Sequence, residues 1–198
     1  MQAETKRQLE HMVPVAFALL LRWIPLWLAA LSAALSVVYG AFVSPRLFPR
    51  TLREDERRRG FSPGKITYGA VVLALILVFR EERFYIVVGA WALLGIGDGM
   101  ANLVGRTWGR AKVPWNRQKS WEGVAGFVVF SALAAAFLIW WVSARPESCH
   151  HFRLLHSLLL GLAMAVVGGL VETVKFPYIN DNVTVPAAGA LVLFVLTL

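Results

Sequence analysis

Long runs of apolar residues, separated by short polar segments, form the dominant pattern along the chain. A membrane-spanning helix needs about 20 mostly apolar residues, because each residue adds about 1.5 Å toward a hydrocarbon core about 30 Å thick. The length of the chain requires only one domain, 1–198, and no segment alternates with period two, so the predicted fold is an all-α integral membrane bundle of about seven transmembrane helices. The predicted spans are approximately 8–21, 24–43, 66–79, 84–104, 121–142, 154–172 and 185–198.

The high apolar and low charged fractions of the chain indicate that lipid surrounds much of it. The chain is 58% hydrophobic and 16% charged, whereas soluble domains carry roughly 25% charged residues. A net charge of +8 is also compatible with nucleic-acid binding, but so little soluble surface remains that we expect no nucleic acid. No obligate protein partner is predicted. The single cysteine, Cys149, excludes an internal disulfide, and its neighbours His150, His151 and His156 are interpreted as part of a polar loop.

The distribution of basic residues predicts the orientation. Seven spans place alternate loops on opposite sides, and fifteen of the 20 lysines and arginines then fall on the side of the N-terminus. The positive-inside rule therefore predicts a multi-pass protein with a cytoplasmic N-terminus. The basic residues of the opposite side are Arg22, Arg80, Arg83, Arg145 and Arg153.

The polar segments on the predicted cytoplasmic side are candidates for chemistry, and the richest runs from Gly97 to Gly123. Asp98 follows an apolar run, and an ionisable group at membrane depth must be paired, hydrated or bound to a cation. Ala101, Gly105 and Gly109 recur every four residues, so a helix presents them on one face. Such a face admits either a phosphate or a neighbouring helix, and the spacing leaves both alternatives open.

Charged residues in the same segment favour a polyphosphate ligand. Two acids, Asp98 and Glu122, bracket five cations, which suits a magnesium–nucleotide site better than a membrane-retention signal alone. Glu172 and Asp181 are further acids on the same predicted side. The five cations are Arg106, Arg110, Lys112, Arg117 and Lys119.

Two motifs carry a resemblance to a known family. The pattern from Asp98 through Gly109 to Lys119-Ser120-x-Glu122-Gly123 resembles the CTP-binding motif of the polyprenol kinase family, which includes dolichol, phytol and farnesol kinases. CDP-diacylglycerol synthases carry a similar motif, but the segment Asp181–Pro186 resembles the Asp-Asn-Leu-Thr-Val-Pro signature of the kinases. The resemblance implies nucleotide-binding roles for Ala101, Gly105, Arg106, Gly109, Lys112, Lys119, Ser120, Glu122, Gly123, Asn182 and Thr184.

Weaker matches extend the resemblance over nearly the whole chain. Arg7 with His11 is similar to the start of the kinase unit, and the stretch from Arg59 to Tyr68 is similar to its second loop. This sequence departs from the family pattern at Asn102, where an Asp is common in the family, and at Asn180, where many members have another Asp.

The resemblance implies transfer of the γ-phosphate of CTP to a polyprenol- or phytol-like lipid alcohol at the cytoplasmic face. Asp98, Asp181 and His11 are then the expected catalytic residues; on chemistry alone, His11 either accepts the alcohol proton or binds a headgroup. Mg²⁺ is expected on Asp98, Glu122, Glu172 and Asp181. The alternatives are a cytidylyltransferase of the CDP-diacylglycerol synthase kind and a non-catalytic membrane transporter or lipid-binding protein.

Overall fold

Helices account for most of the chain in the structure, a computed structural model that describes residues 2–48, 52, 54–176 and 179–198. The α-helices are α1 (Gln2–Met12), α2 (Leu26–Val38), α3 (Ser44–Leu47), α4 (Glu54–Arg59), α5 (Pro63–Phe79), α6 (Phe84–Ala92), α7 (Asp98–Trp108), α8 (Trp121–Ser143), α9 (Leu154–Thr173) and α10 (Asp181–Leu196). Other helical turns and two strands link them: 3₁₀ segments Val13–Arg22 and Glu81–Arg83, π segments Tyr39–Val43 and Leu93–Gly97, β1 (Lys112–Val113) and β2 (Asn116–Ser120).

Four continuous helical stretches are long and apolar enough to cross a membrane. They are Leu26–Leu47, Glu81–Trp108, Trp121–Ser143 and Leu154–Thr173, and two shorter apolar helices, α5 and α10, accompany them. The expectation of an all-α membrane bundle is confirmed, while the number of seven crossings stays a prediction. All nine residues of α6 are buried, so this helix forms the centre of the bundle, packed against α8 and α10.

The first predicted span has a different form from the α-helix expected over 8–21. Helix α1 ends at Met12, and the next ten residues, Val13–Arg22, form a 3₁₀ helix. Pro14 lies at its start and lacks the N–H that an α-helix would use there. A 3₁₀ helix rises about 2.0 Å per residue, so these ten residues cover about 20 Å instead of the 15 Å of an α-helix.

The polar loop predicted over 105–120 is largely ordered secondary structure. Helix α7 continues to Trp108, and β1 pairs with β2 as an antiparallel hairpin whose turn contains Pro114. Proline restricts φ to a value that suits a turn, and the neighbouring Val113 is fully buried and anchors the hairpin. The last predicted span also begins earlier, at Asp181 instead of 185, so the Asp181–Pro186 segment lies within the first two turns of a helix.

Long-range contacts gather the polar groups at two ends of the bundle. At the end that we call the Asp98 end, His11 contacts Leu94 and Asp98, and Lys119 contacts Glu172. At the other end, which we call the Arg145 end, Arg145 contacts Glu81 and the Leu21 carbonyl oxygen. Arg22 donates there to the Trp141 carbonyl oxygen, and Tyr85 contacts His150. The segments predicted to share one side therefore meet at one end. Arg50 and Arg53, counted among the basic residues of that side, lie outside the described residues.

Candidate functional site

Asp98 lies where the central helix changes its winding. The π segment Leu93–Gly97 precedes it directly, and such wide turns occur often at functional sites. Nδ2 of Asn102 donates to the Asp98 carboxylate at 3.1 Å and to its backbone carbonyl at 2.9 Å. The amide at this position, where an Asp is common in the resembling family, thus supports the acid next to it.

His11 approaches Asp98 from helix α1. Its Nε2 lies 3.1 Å from the carbonyl oxygen of Leu94 and 3.6 Å from Oδ2 of Asp98. A carbonyl oxygen only accepts hydrogen bonds, so Nε2 carries the proton. In the neutral ring the acceptor is then Nδ1, which leaves this nitrogen available as a base.

Lys119 joins the end of the hairpin to two further helices. Its Nζ donates to the carboxylate of Glu172, near the C-terminal end of α9, and lies 3.9 Å from Oδ2 of Asp181 at the start of α10. Glu172 is only 2% exposed, so its charge depends on this partner. The predicted residues Lys119, Glu172 and Asp181 are therefore one cluster.

Electrostatics link this cluster to Asp98, which interacts with the Lys119 ammonium as well. Burial disfavours the charged form of Lys119, but the ion pair with Glu172 and the charges of Asp98 and Asp181 outweigh it and raise the pKa of this lysine. Lys119 is therefore a cation at neutral pH, surrounded by three acids.

The small residues of the motif serve helix packing. A Cβ added to Gly123 would lie 3.0 Å from the carbonyl oxygen of Ala101 and 3.3 Å from Cα of Gly105, because α7 and α8 touch through their backbones. A Cβ on Gly109 would lie 2.1 Å from the Gly105 oxygen and 2.5 Å from Oγ of Ser120. Of the two alternatives for this spacing, the structure shows the neighbouring helix, and phosphate contact by these residues stays a prediction.

Ser120 and Glu122 connect the hairpin to α8. The Ser120 hydroxyl caps the helix by accepting from the backbone N–H of Gly123 at 3.2 Å. Both carboxylate oxygens of Glu122 accept from the N–H of Ala111, at 3.0 and 3.2 Å. Glu122 thus has a structural partner of its own, and the metal role predicted for it stays a prediction. Arg106 and Lys112 are exposed nearby.

The start of α10 brings the second motif to the same end. Asn180 caps the helix by accepting from the N–H of Asn182, whose own side chain donates to the Gly64 carbonyl at 3.1 Å. Oγ1 of Thr184 is buried and has no hydrogen-bond partner within the described residues. Pro186 cannot donate to the carbonyl of Asn182, so that acceptor also lacks its helical partner. The nucleotide contacts predicted for Asn182 and Thr184 stay a prediction.

The acids fit magnesium bound together with a nucleotide. Across the described ranges no group of three His, Cys, Asp or Glu side chains is arranged to hold a metal ion unaided. Magnesium on a nucleotide needs only one or two carboxylates, since phosphate oxygens and water complete its shell. Asp98 and Asp181 suit this role, whereas Glu172 is engaged by Lys119.

Sequence reasoning missed several polar residues at the Asp98 end. Nζ of Lys65 donates to Oγ of Ser44 at 2.6 Å and to Oε2 of Glu10 at 3.1 Å. Trp115 donates its indole N–H to Oγ1 of Thr173 at 3.0 Å, and Asn116 donates to the Thr173 carbonyl at 3.1 Å. These last two bonds fasten the hairpin next to Glu172. The partners are far apart in sequence, and no local pattern indicates them.

Comparisons with known proteins agree with the resemblance. Residues 3–175 match the model of the family described as the cytidylyltransferase family. A probable chloroplastic phytol kinase of Triticum aestivum is 30% identical over 81% of this chain and 53% of its own length. Probable phytol kinase 2 of Glycine max is 35% identical over 67% of this chain and 45% of its own length.

A third relative extends the range of alcohols named. The chloroplastic farnesol kinase of Arabidopsis thaliana is 29% identical over 70% of this chain and 44% of its own length. The chain thus spans about half the length of the curated relatives it matches. No solved structure matches it.

Proposed function

Because the chain belongs to the cytidylyltransferase family and its relatives are named as phytol and farnesol kinases, we propose that it is a CTP-dependent kinase of a lipid alcohol. The observation that supports this most is the meeting of His11, Asp98, Lys119, Glu172 and Asp181 at one end of the bundle. A base, a cation and several acids are what transfer of a phosphoryl group requires. The alcohol would be phytol or a polyprenol, entering from the bilayer.

In this proposal the alcohol oxygen attacks the γ-phosphorus of CTP. A new oxygen–phosphorus bond forms, the bond to the bridging β-oxygen breaks, and CDP leaves. The alcohol proton goes to Nδ1 of His11, whose Nε2 is held by the Leu94 carbonyl. Phosphoryl transfer passes through a loose transition state, so positioning and charge stabilisation carry most of the catalysis.

Lys119 would interact with the charge that develops on the phosphate oxygens. Its ammonium is held by Glu172, which aims it from the hairpin toward Asp181. Bound Mg²⁺ would neutralise negative charge on the β- and γ-phosphates, with Asp98 and Asp181 as its protein ligands. Nucleotide contacts would come from the motif after Asp98 and from Asn182 and Thr184.

Orientation follows from the same proposal. The nucleotide is supplied on the cytoplasmic side, so the Asp98 end would face the cytoplasm. The fifteen-to-five distribution of basic residues supports this orientation independently.

The test is incubation of purified protein in detergent with CTP labelled in the base or in the γ-phosphate, Mg²⁺ and phytol or a polyprenol. We expect CDP and labelled alcohol monophosphate in equal amounts. Asp98→Asn and Lys119→Ala should each lower turnover by roughly 100-fold or more. Stoichiometric release of pyrophosphate would instead identify a cytidylyltransferase, and no turnover of any lipid alcohol would favour a transporter or lipid-binding protein.

A further inference from the structure

A buried aromatic pair lies beside the proposed base. The indole N–H of Trp91, in α6, donates to the hydroxyl of Tyr68, in α5, at 2.7 Å. Both side chains are 8% exposed, so each polar atom depends on the other for its hydrogen bond. The bond therefore fixes the orientation of the Tyr68 ring.

The Tyr68 ring in turn contacts the imidazole of His11. Their centroids are 4.6 Å apart and the planes cross at 74°, an edge-to-face contact. Gly95 lies beside both residues: a Cβ there would first meet Cγ2 of Val15, and it would be 3.0 Å from the Tyr68 hydroxyl oxygen and 3.3 Å from the His11 carbonyl oxygen. The imidazole is thus held by Tyr68 through its ring and by Leu94 through Nε2.

We propose that Tyr68 is a positioning residue for His11. This proposal rests on the proposed function, because Tyr68 would keep Nδ1 of His11 in the orientation that accepts the alcohol proton. Without the ring of Tyr68 the imidazole gains room to rotate, and Nε2 can leave the Leu94 carbonyl. The rate of phosphoryl transfer should then fall, because misplacing a catalytic group by about 1 Å costs up to 100-fold in rate.

A double-mutant cycle tests this assignment. Tyr68→Leu removes the ring, His11→Ala removes the base, and the combined variant removes both. In the wild-type background we expect Tyr68→Leu to lower kcat by about 10-fold, with the KM for CTP and for the alcohol changed by less than about 2-fold. In the His11→Ala background the same substitution should change kcat by less than about 2-fold, because the group it positions is gone.

Two further variants separate positioning from folding. Tyr68→Phe keeps the ring and should retain at least about a third of the wild-type kcat. Tyr39→Leu removes another tyrosine of the same bundle, which is 45% exposed, and should leave kcat unchanged. Elution as a single detergent-solubilised species checks that each variant is folded. If Tyr68→Leu does not fold, the cycle is run with Tyr68→Phe, whose smaller loss should likewise vanish in His11→Ala.

The outcomes are distinguishable. Equal losses from Tyr68→Leu in both backgrounds would show a merely structural role and overturn the inference. So would an active wild-type enzyme in which His11→Ala changes kcat by less than about 2-fold, while the kinase function itself would stand. A wild-type protein with no turnover of CTP and a lipid alcohol would refute the proposed function, and the inference with it.

Discussion

The ion pair between Lys119 and Glu172 allows stability and activity to be separated. Lys119→Met keeps the length of the side chain but removes its charge, which leaves the 2%-exposed Glu172 carboxylate without its cation. Breaking a buried pair by removing one partner costs roughly 3–5 kcal/mol. Because the Lys119 side chain is 25% exposed, we place the cost at the lower end, about 3 kcal/mol.

The reverse substitution should cost less. Glu172→Gln leaves the Lys119 ammonium, which keeps some access to solvent and still has Asp181 at 3.9 Å. The double variant Lys119→Met with Glu172→Gln removes both charges, so no buried charge is left alone and most of the stability should return. Activity should not return, since the double variant still lacks the cation at the proposed phosphate site.

Thermal unfolding in detergent, followed by tryptophan fluorescence, measures these differences. For a chain of this size about 3 kcal/mol corresponds to a Tm lower by roughly 6–12 °C. We expect the order wild type, double variant, Glu172→Gln, Lys119→Met from highest to lowest Tm. If Lys119→Met unfolded at the wild-type temperature, or if the double variant were no more stable than Lys119→Met, the reasoning about the buried pair would be refuted.

Three further predictions concern charge, packing and orientation. The folded-state pKa of Lys119 lies above its ordinary value of 10.5, so its contribution to stability is fully present below about pH 10.5 and is lost as pH rises through the higher folded-state pKa. In Lys119→Met the buried Glu172 carboxylate takes up a proton more readily at lower pH, so the Tm difference between wild type and this variant should not become smaller as pH rises from about 6 to 9. Gly109→Ala should cost about 2 kcal/mol in an unfolding experiment, because its Cβ would lie 2.1 Å from a backbone oxygen, whereas Gly64→Ala, with no neighbour closer than 3.9 Å, should cost less than half as much. An impermeant maleimide should label exposed Cys149 in intact cells, and a variant with Cys149→Ser and Ala111→Cys only after permeabilisation; the opposite pattern would place the Asp98 end outside.

The sequence by itself determined the helical membrane architecture and the grouping of polar segments. Both depend on local quantities, the length of an apolar run and the order of loops, which need no knowledge of neighbours. The motifs also identified Asp98, Lys119 and Asp181, which the structure brings to one end. Element boundaries were less predictable: Pro14 changed the winding of the first span, and Val113 anchored a hairpin in a segment predicted as a loop.

Only the tertiary structure decided which groups are partners. Lys119 and Glu172 are 53 residues apart, and His11 and Leu94 are 83 apart, so no sequence window contains either pair. The structure likewise shows Gly105 against the first turn of α8, one of the two alternatives that the spacing left open, while phosphate contact stays a prediction. Tyr68 could be noticed in the sequence but not given a task, because its contacts with Trp91 and His11 exist only where three helices pack together. Burial strengthens such contacts by excluding water, and burial is a property of the folded bundle rather than of any segment.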